Sequence, residues 1–292
     1  MMHLEKIEQV IRDHSQLRNS VSLDAWLTSS TLSRFRDLVP RPSLGETTLM
    51  DIGCYQPAIG YYVALGWRDI IGIAKEEGEC NASYCYVTDN GATARNLILD
   101  VETEKIPQPD NSVDAVLMME VFEHFGLDPM HALIEANRVL KPGGLLVLST
   151  PNAAAFSNLF RIMKGETPYL GMEFSGFSTN RHNRIYDCHE LREILRSAGF
   201  AIEISTSRTY DQNPLPPKGK IFRVLSKISD WWLRFHWHWQ IERGDYLFVT
   251  ARKISAAVER YPRLLYLDST NWADWFRAIG GEAIVKADSA RK

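Results

Sequence analysis

Residues 49–54 read LMDIGC, a short apolar run that ends in an acid and a glycine. Four similar runs follow along the chain, and segments with apolar residues at helical spacing separate several of them. These runs are DIIGIA (69–74), NLILD (96–100), DAVLMMEV (114–121) and GLLVLST (144–150). Alternating strands and helices are typical of a mostly parallel sheet with helices on both faces. The pattern therefore predicts an α/β fold.

The second half of the chain adds two more strands to this prediction. HELREILRSAGF (189–200) has the pattern of an amphipathic helix that ends at Gly199, and AIEISTS (201–207) and YLFVTARK (246–253) are strand-like. The sheet is thus predicted to have seven strands. We expect a helical lead-in over residues 1–46, an α/β domain over 47–253 with a helical insertion at 208–243, and a helical tail over 254–292.

The composition excludes several classes of protein. The 292 residues are 45% hydrophobic and 24% charged with a net charge of -3, which indicates a globular protein without overall attraction to nucleic acid. The four cysteines form no C-x-x-C pair, so neither a zinc site nor a disulfide framework is predicted. No stretch resembles a signal peptide or a membrane span. We expect a reduced, cytoplasmic setting and no metal.

Five stretches in the same order resemble class I S-adenosylmethionine-dependent methyltransferases. They are LMDIGC (49–54), IPQPDNSVDAVLMMEVFEHF (106–125), NRVLKPGGLLVLSTPN (137–152), HNRIYDCHELREILRSAGF (182–200) and GDYLFVTARK (244–253). The resemblance covers roughly residues 47–253. It implies a Rossmann-like fold, S-adenosylmethionine as cofactor, and transfer of a methyl group.

The resemblance also implies cofactor contacts at the carboxyl ends of the strands, where ligands bind in open parallel sheets. In the family, the acid after the third strand holds the adenine amino group, and that position matches Asp100, with Val101 beside it. The alternative for Asp100 is a solvated turn residue. The other predicted cofactor residues are Asp51, Gly53, Cys54, Tyr55, Glu76 and Glu120.

The glycine loop departs from the family pattern D-x-G-x-G-x-G. Gly53 is kept, but Tyr55 and Pro57 occupy the next two glycine positions, and Ala74 stands where an acid usually binds the ribose. Proline fixes φ and removes an N–H donor, so the loop cannot approach a ligand in the usual way. Glu76 or Glu77 could reach the ribose from one turn later.

Substrate-side candidates cluster in two stretches. EVFEHF (120–125) offers Glu123 and His124, and RHNRIY (181–186) offers His182, together with Arg181, Arg184 and Tyr186. A hydroxyl acceptor needs a base near its proton, and histidine titrates in the useful range. We take His124 as the first candidate base, His182 as the second, and Glu123 as a third catalytic residue. The alternative for His124 is a residue that caps or packs a helix start.

Residues 220–240 form a predicted basic amphipathic helix. Its apolar face carries tryptophans, and residues 218–234 hold five basic residues against one acid, a net charge of +4. Such a helix suits an anionic membrane surface, a lid over the crevice, or a dimer contact. Similar inserts occur in related methyltransferases of polysaccharide or lipid-linked glycan assembly.

Two functions compete on this sequence. The first is an enzyme that methylates an oxygen or nitrogen, most plausibly a hydroxyl of a glycan or lipid-linked small molecule, with peripheral contact at the inner membrane surface or homodimer formation. The alternative is a methyltransferase-fold protein that has lost the cofactor and acts as a binding or regulatory partner. A nicotinamide dehydrogenase is disfavoured, because it would need the same glycines and the same acid at position 74, which this chain lacks. Nucleic-acid methylation is disfavoured because no base-pocket motif is present.

Overall fold

The computed structural model describes residues 36–54, 58–75, 84–88, 91–168, 182–209 and 242–266, together with positions 224, 227, 228 and 231. Several sequence predictions fall outside these residues. They are most of the helical lead-in, Tyr55, Pro57, Glu76, Glu77, Arg181, nearly all of the 220–240 helix and most of the C-terminal tail.

One eight-stranded sheet forms the centre of the molecule. Its spatial order is β3-β4-β2-β1-β5-β6-β8-β7, and β3 and β8 run antiparallel to the others. The strands are β1 (Thr48–Ile52), β2 (Asp69–Ala74), β3 (Tyr84–Val87), β4 (Thr93–Ile98), β5 (Val113–Met119), β6 (Leu140–Pro151), β7 (Phe200–Arg208) and β8 (Tyr246–Lys253). The predicted α/β fold is confirmed, and the reversal of strand order beside β1 creates a crevice at the carboxyl edge.

The sheet has one strand more than the seven predicted. β3 is a short edge strand that pairs antiparallel with β4, matching Tyr84 to Asn96 and Val87 to Thr93. Cys85 and Val87 are exposed, so this segment lacks the buried apolar run that marks the other strands. Antiparallel pairing with the next strand, β4, and not its own apolar pattern, makes it a strand.

Among the described residues, four α-helices and one short 3-10 helix with defined bounds lie between the strands. The α-helices are α1 (Ala58–Leu65), α2 (Pro129–Val139), α3 (Phe156–Met163) and α4 (Cys188–Ser197), and the 3-10 helix spans Phe122–His124. Asp128 and Asp187 cap α2 and α4, since their side chains accept hydrogen bonds from the backbone N–H groups of His131 and Glu190. The caps fix the helix starts close to the carboxyl edge of the sheet.

The two faces of the sheet carry separate cores, because successive side chains of a strand point to opposite faces. On one face, Met50 and Ile52 of β1 pack with apolar residues of α2 and α4. On the other, Leu49 packs with Ile59 and Tyr62 of α1. The predicted helices on both faces are therefore present. Within the described residues, no helix is long and apolar enough to cross a membrane.

The isolated positions between β7 and β8 are helical. Val224, Ile228 and Trp231 expose more than half of their side-chain surface. All three belong to the predicted apolar face of the 220–240 helix. The prediction that a crevice, a second subunit or a membrane covers this face stays a prediction.

Candidate active site

Several strand ends meet at the carboxyl edge of the sheet. β1, β5 and β6 end there at Ile52, Met119 and Pro151. Because β8 is antiparallel, it begins at the same edge, where Tyr246 pairs with Pro151. The loops that follow β1, β4, β5 and β6, and the one that precedes β8, therefore surround one region.

Glu123, His124 and His182 come together at this edge. One ligand-type atom from each of the three side chains lies within 4.8 Å of the other two. The two imidazole rings meet edge to face, with centroids 4.8 Å apart. Glu123 is only 1% exposed, whereas both histidines are half-buried. The three predicted catalytic residues thus form a single cluster, although 58 positions separate the histidines in sequence.

Backbone and side-chain hydrogen bonds hold this cluster in place. The Thr150 hydroxyl donates to Glu123 Oε2 at 2.9 Å. The carbonyl oxygen of Glu123 accepts from the N–H groups of Asn183 and Arg184 at 2.8 and 3.2 Å. The Asn183 amide donates to the carbonyl oxygen of His124 at 2.7 Å. The 3-10 helix and the 182–184 segment are therefore fastened to each other.

Glu120 lies beside the cluster in a strained backbone conformation. Its φ of 56° is in the left-handed region, which non-glycine residues seldom adopt. Its carboxylate accepts a hydrogen bond from the Ser149 hydroxyl at 2.7 Å. Strain of this kind is often concentrated at functional sites. Here it turns the chain from β5 into the 3-10 helix that carries His124.

A cavity of about 400 Å³ opens next to the cluster. Its size is within the usual range for sites that bind small molecules. Most of its lining side chains are polar, including Arg161 of α3, for which the described residues provide no ion-pair partner. The lining residues are Glu120, Glu123, His124, Pro151, Ala155, Ser157, Asn158, Arg161, Pro168, His182, Ile185, Asp245 and Tyr246.

The cluster also has the composition of a cation site. A carboxylate oxygen and two imidazole nitrogens are common ligands of divalent transition metals. From the sequence no metal was predicted, because only the four cysteines were considered and they form no C-x-x-C pair. The three side chains are close enough for one ion to contact them all.

The predicted adenine turn follows β4. Asp100 Oδ1 accepts from the N–H of Glu102 at 3.0 Å, and Oδ2 forms an ion pair with Lys75 Nζ at 2.8 Å. Each carboxylate oxygen can accept a second hydrogen bond. Val101 is buried, and its N–H donates to no acceptor in the described part of the chain. A turn with a carboxylate beside an available N–H fits the donor and acceptor edge of an adenine.

The turn after β1 is tightly packed. Gly53 has φ +82°, and the N–H groups of Gly53 and Cys54 both donate to the carbonyl oxygen of Ile73. Asp51 is 2% exposed and accepts a hydrogen bond from the Tyr62 hydroxyl at 2.7 Å. Burial raises the pKa of Asp51 to about 7, against hydrogen bonds from Tyr62 and Cys54 that lower it. Asp51 and Cys54 are thus placed to shape the turn, with Gly53 nearer the crevice.

Gly53→Ala should lower the free energy of unfolding by about 2–5 kcal/mol. A side chain at this φ costs about 1–2 kcal/mol, and overpacking costs about 1–3 kcal/mol more. The new Cβ would lie 2.8 and 2.9 Å from the Cγ2 and Cβ of Val121. Urea unfolding measures the loss. Gly143→Ala is the matched control, since Gly143 has φ +75° with open space around it. Equal losses in the two variants would contradict the close approach of Val121.

Several residues near the site were not singled out from the sequence, among them Asp245, Tyr246 and Lys75. Asp245 and Tyr246 line the cavity from the start of β8, and the antiparallel direction of that strand was the signal that could have found them. Lys75 directly follows the missing ribose acid at Ala74 and contacts Asp100. Tyr55 and Glu76, the remaining cofactor predictions, lie outside the described residues.

Comparison with known proteins finds a matching family model, similar proteins and similar solved structures. A family model described as a methyltransferase domain matches residues 29–204, more than half of the chain. The ubiquinone biosynthesis O-methyltransferase of Ruegeria pomeroyi is 26% identical over 231 residues, covering 78% of this chain and 80% of that protein. A probable S-adenosylmethionine-dependent methyltransferase of Mycolicibacterium smegmatis is 36% identical over 99 residues, covering 34% of this chain and 33% of that protein. A solved methyltransferase structure from Archaeoglobus fulgidus aligns with a TM-score of 0.49 at 18% identity, covering 80% of this chain and 98% of that chain.

Proposed function

The chain belongs to the methyltransferase-domain family and is an S-adenosylmethionine-dependent methyltransferase, and from this we propose that it methylates a hydroxyl oxygen of a glycan or lipid-linked small molecule. The observation that carries the proposal is the Glu123–His124–His182 cluster beside a polar cavity. The family assignment favours an enzyme over the alternative of a partner protein that has lost the cofactor.

His124 is the general base of this proposal. S-adenosylmethionine, when bound, supplies an activated methyl group, so the protein has to align the acceptor and remove its proton. The ring nitrogens of His124 and His182 lie within 4.8 Å of the Glu123 carboxylate. A buried carboxylate beside an imidazole stabilises the imidazolium that forms when the ring takes a proton. Glu123 therefore orients and stabilises His124, and His182 completes the pocket.

The cavity lining supports an acceptor with several hydroxyl groups. Arg161, Asn158 and Asp245 offer both donors and acceptors around the space, as recognition of a polyhydroxyl compound requires. Relatives named as O-methyltransferases support oxygen as the methylated atom. Their names refer to ubiquinone biosynthesis, which adds a phenol-type hydroxyl as the second acceptor class to test. Contact of residues 220–240 with the inner membrane surface or with a second subunit is a proposal from the sequence.

Asp100 and Val101 are the proposed adenine contacts, with Gly53 and Glu120 on either side of the crevice. The Asp100 carboxylate would accept from the adenine amino group, and the Val101 N–H would donate to the ring. The missing acid at Ala74 leaves the ribose with fewer contacts. We therefore expect weaker cofactor binding than in a relative that has all three glycines and this acid.

Asp100→Ala should weaken S-adenosylhomocysteine binding by about 1.5–3 kcal/mol, the usual range for a hydrogen bond to a charged group. Isothermal titration calorimetry measures the change. Asp100→Asn is the matched control, because its amide oxygen still accepts a hydrogen bond and should lose less. Ligand at about 100 times its dissociation constant should also stabilise the wild-type fold by roughly 2.7 kcal/mol. The absence of both calorimetric heat and a thermal shift at millimolar ligand would overturn the proposed function.

A further inference from the structure

Glu102 joins the adenine turn to the loop that follows the catalytic cluster. Its side chain is buried, and its carboxylate accepts three backbone hydrogen bonds from residues 126–128. Oε1 accepts from Leu127 and Asp128 at 2.7 and 2.8 Å, and Oε2 accepts from Gly126 at 3.2 Å. The N–H of Glu102 donates to Asp100 at 3.0 Å. One residue therefore contacts both the predicted cofactor side and the predicted substrate side.

The 126–128 loop, which Glu102 holds, lies next to His124. Gly126 follows His124 by two residues, and a Cβ at Gly126 would lie 2.8 Å from the Asn183 amide nitrogen. That amide group donates to the carbonyl oxygen of His124 at 2.7 Å. A shift of the 126–128 loop would thus press on the group that fixes the His124 backbone. Tight packing transmits small displacements of this kind.

Lys75 has two acidic partners at the adenine turn. Its ammonium group lies 2.8 Å from Asp100 Oδ2 and 3.9 Å from Glu102 Oε2. The Lys75 side chain is 45% exposed, so it can move at small cost. A ligand donor that binds Asp100 Oδ2 would share that oxygen with Lys75 and weaken their ion pair, which favours the second acid beside Lys75, Glu102.

We propose that Glu102 is a positioning residue that couples occupation of the adenine turn to the placement of His124, as Lys75 moves its ion pair from Asp100 towards Glu102. The proposal rests on the proposed function, in which Asp100 accepts from the adenine amino group. A lysine closer to Glu102 draws Oε2 away from the N–H of Gly126, whose hydrogen bond of 3.2 Å is the longest of the three. The 126–128 loop then shifts, and cofactor binding thereby changes the position of His124.

The chemistry requires a carboxylate at position 102. Glutamine has one acceptor oxygen and an NH₂ group, so in Glu102→Gln the NH₂ would face either a backbone N–H or the Lys75 ammonium. Lys75→Met leaves the Glu102 hydrogen bonds in place and removes the moving charge. Glu135→Gln is the matched control, because Glu135 is also a buried carboxylate that accepts a backbone hydrogen bond, from Ile106 at 2.8 Å.

The test follows the imidazole resonances of the full-length protein by NMR during titration with S-adenosylhomocysteine. In the wild type, the His124 and His182 signals should move on binding. In Lys75→Met the ligand should bind as tightly as in the wild type or more tightly, with the movement lost. In Glu102→Gln, kcat should fall by about tenfold or more, with a smaller change in the cofactor KM. Glu135→Gln should keep the histidine response even if its melting temperature falls.

Two results would overturn the inference. Binding of S-adenosylhomocysteine to the wild type without a response of either histidine would remove the coupling and leave the proposed function intact. An unchanged histidine response in Lys75→Met would show that Lys75 does not carry it. Because Lys75 is at the surface, this variant should fold even if Glu102→Gln does not. No binding to the wild type would overturn the proposed function as well.

Discussion

Turnover of the His124→Ala variant should fall by about 10²–10⁴-fold, the usual contribution of a positioned general acid or base. The loss should appear in kcat with saturating cofactor, because His124 lies in the cluster with Glu123 and His182 and not on the Asp100 side. S-adenosylhomocysteine affinity should change little. Initial rates with a hydroxyl acceptor, together with calorimetry, separate the two effects.

Two controls accompany the His124 experiment. His189→Ala removes an exposed histidine of α4 and should leave turnover near the wild-type value. His182→Ala should lower turnover less than His124→Ala, because His182 completes the pocket and does not take the proton. If His182→Ala lowered turnover by the larger factor, His182 and not His124 would be the general base. If His124→Ala kept its turnover and lost cofactor affinity, the assignment of the two sides would be wrong.

Asp51→Asn should stabilise the protein at neutral and higher pH. Burial raises the pKa of Asp51 from 3.8 to about 7 in the folded chain. At about 1.36 kcal/mol per pKa unit, that difference corresponds to roughly 4 kcal/mol. Asparagine keeps an acceptor for the Tyr62 hydroxyl and carries no charge to bury. Above pH 7 the free energy of unfolding should therefore rise by up to a few kcal/mol. Cofactor affinity of the variant should be measured in parallel.

The sign of the pH dependence follows from proton linkage. Between pH 3.8 and about 7 the folded wild type binds more protons at Asp51 than the unfolded chain does. Stability from this group is thus fully present below pH 3.8 and is lost as the pH rises through about 7. The stability difference between variant and wild type should grow by about 2–3 kcal/mol from pH 5 to pH 8. Urea unfolding at both pH values measures it, and a difference independent of pH would contradict the raised pKa.

The strands were the most predictable part of the fold. All seven strands expected from the sequence occur, and the clearest signals came from buried parallel strands such as β2 and β5, which need largely apolar sequence. β3 was missed because Cys85 and Val87 are exposed and its four residues lack a buried apolar run. A short edge strand depends on the neighbour that it pairs with, which a local pattern does not contain.

The site was predictable residue by residue but not as an arrangement. Position just past a predicted strand indicated Glu123 and His124, residue type indicated His182, and the family resemblance indicated Asp100. The proximity of His182 to His124 depends on how segment 182–184 bonds to Glu123, and no sequence spacing encodes that. Lys75 reaches Asp100 because β2 and β4 are neighbours in the sheet. The missing acid at Ala74 was visible in the sequence, but the contact of Lys75 with Asp100 was not.

The junction of β7 and β8 holds the two ends of the long connection between these strands side by side. Ser207 Oγ accepts from the N–H of Gly244 at 2.8 Å, and Glu242 Oε2 accepts from the N–H of Ser207 at 3.0 Å. A Cβ at Gly244 would lie 2.5 Å from the backbone nitrogen of Arg208, so the two chain ends are held side by side. Loop-closure entropy changes slowly with length. A connection of different length between Arg208 and Glu242 should therefore cost little additional loop-closure free energy.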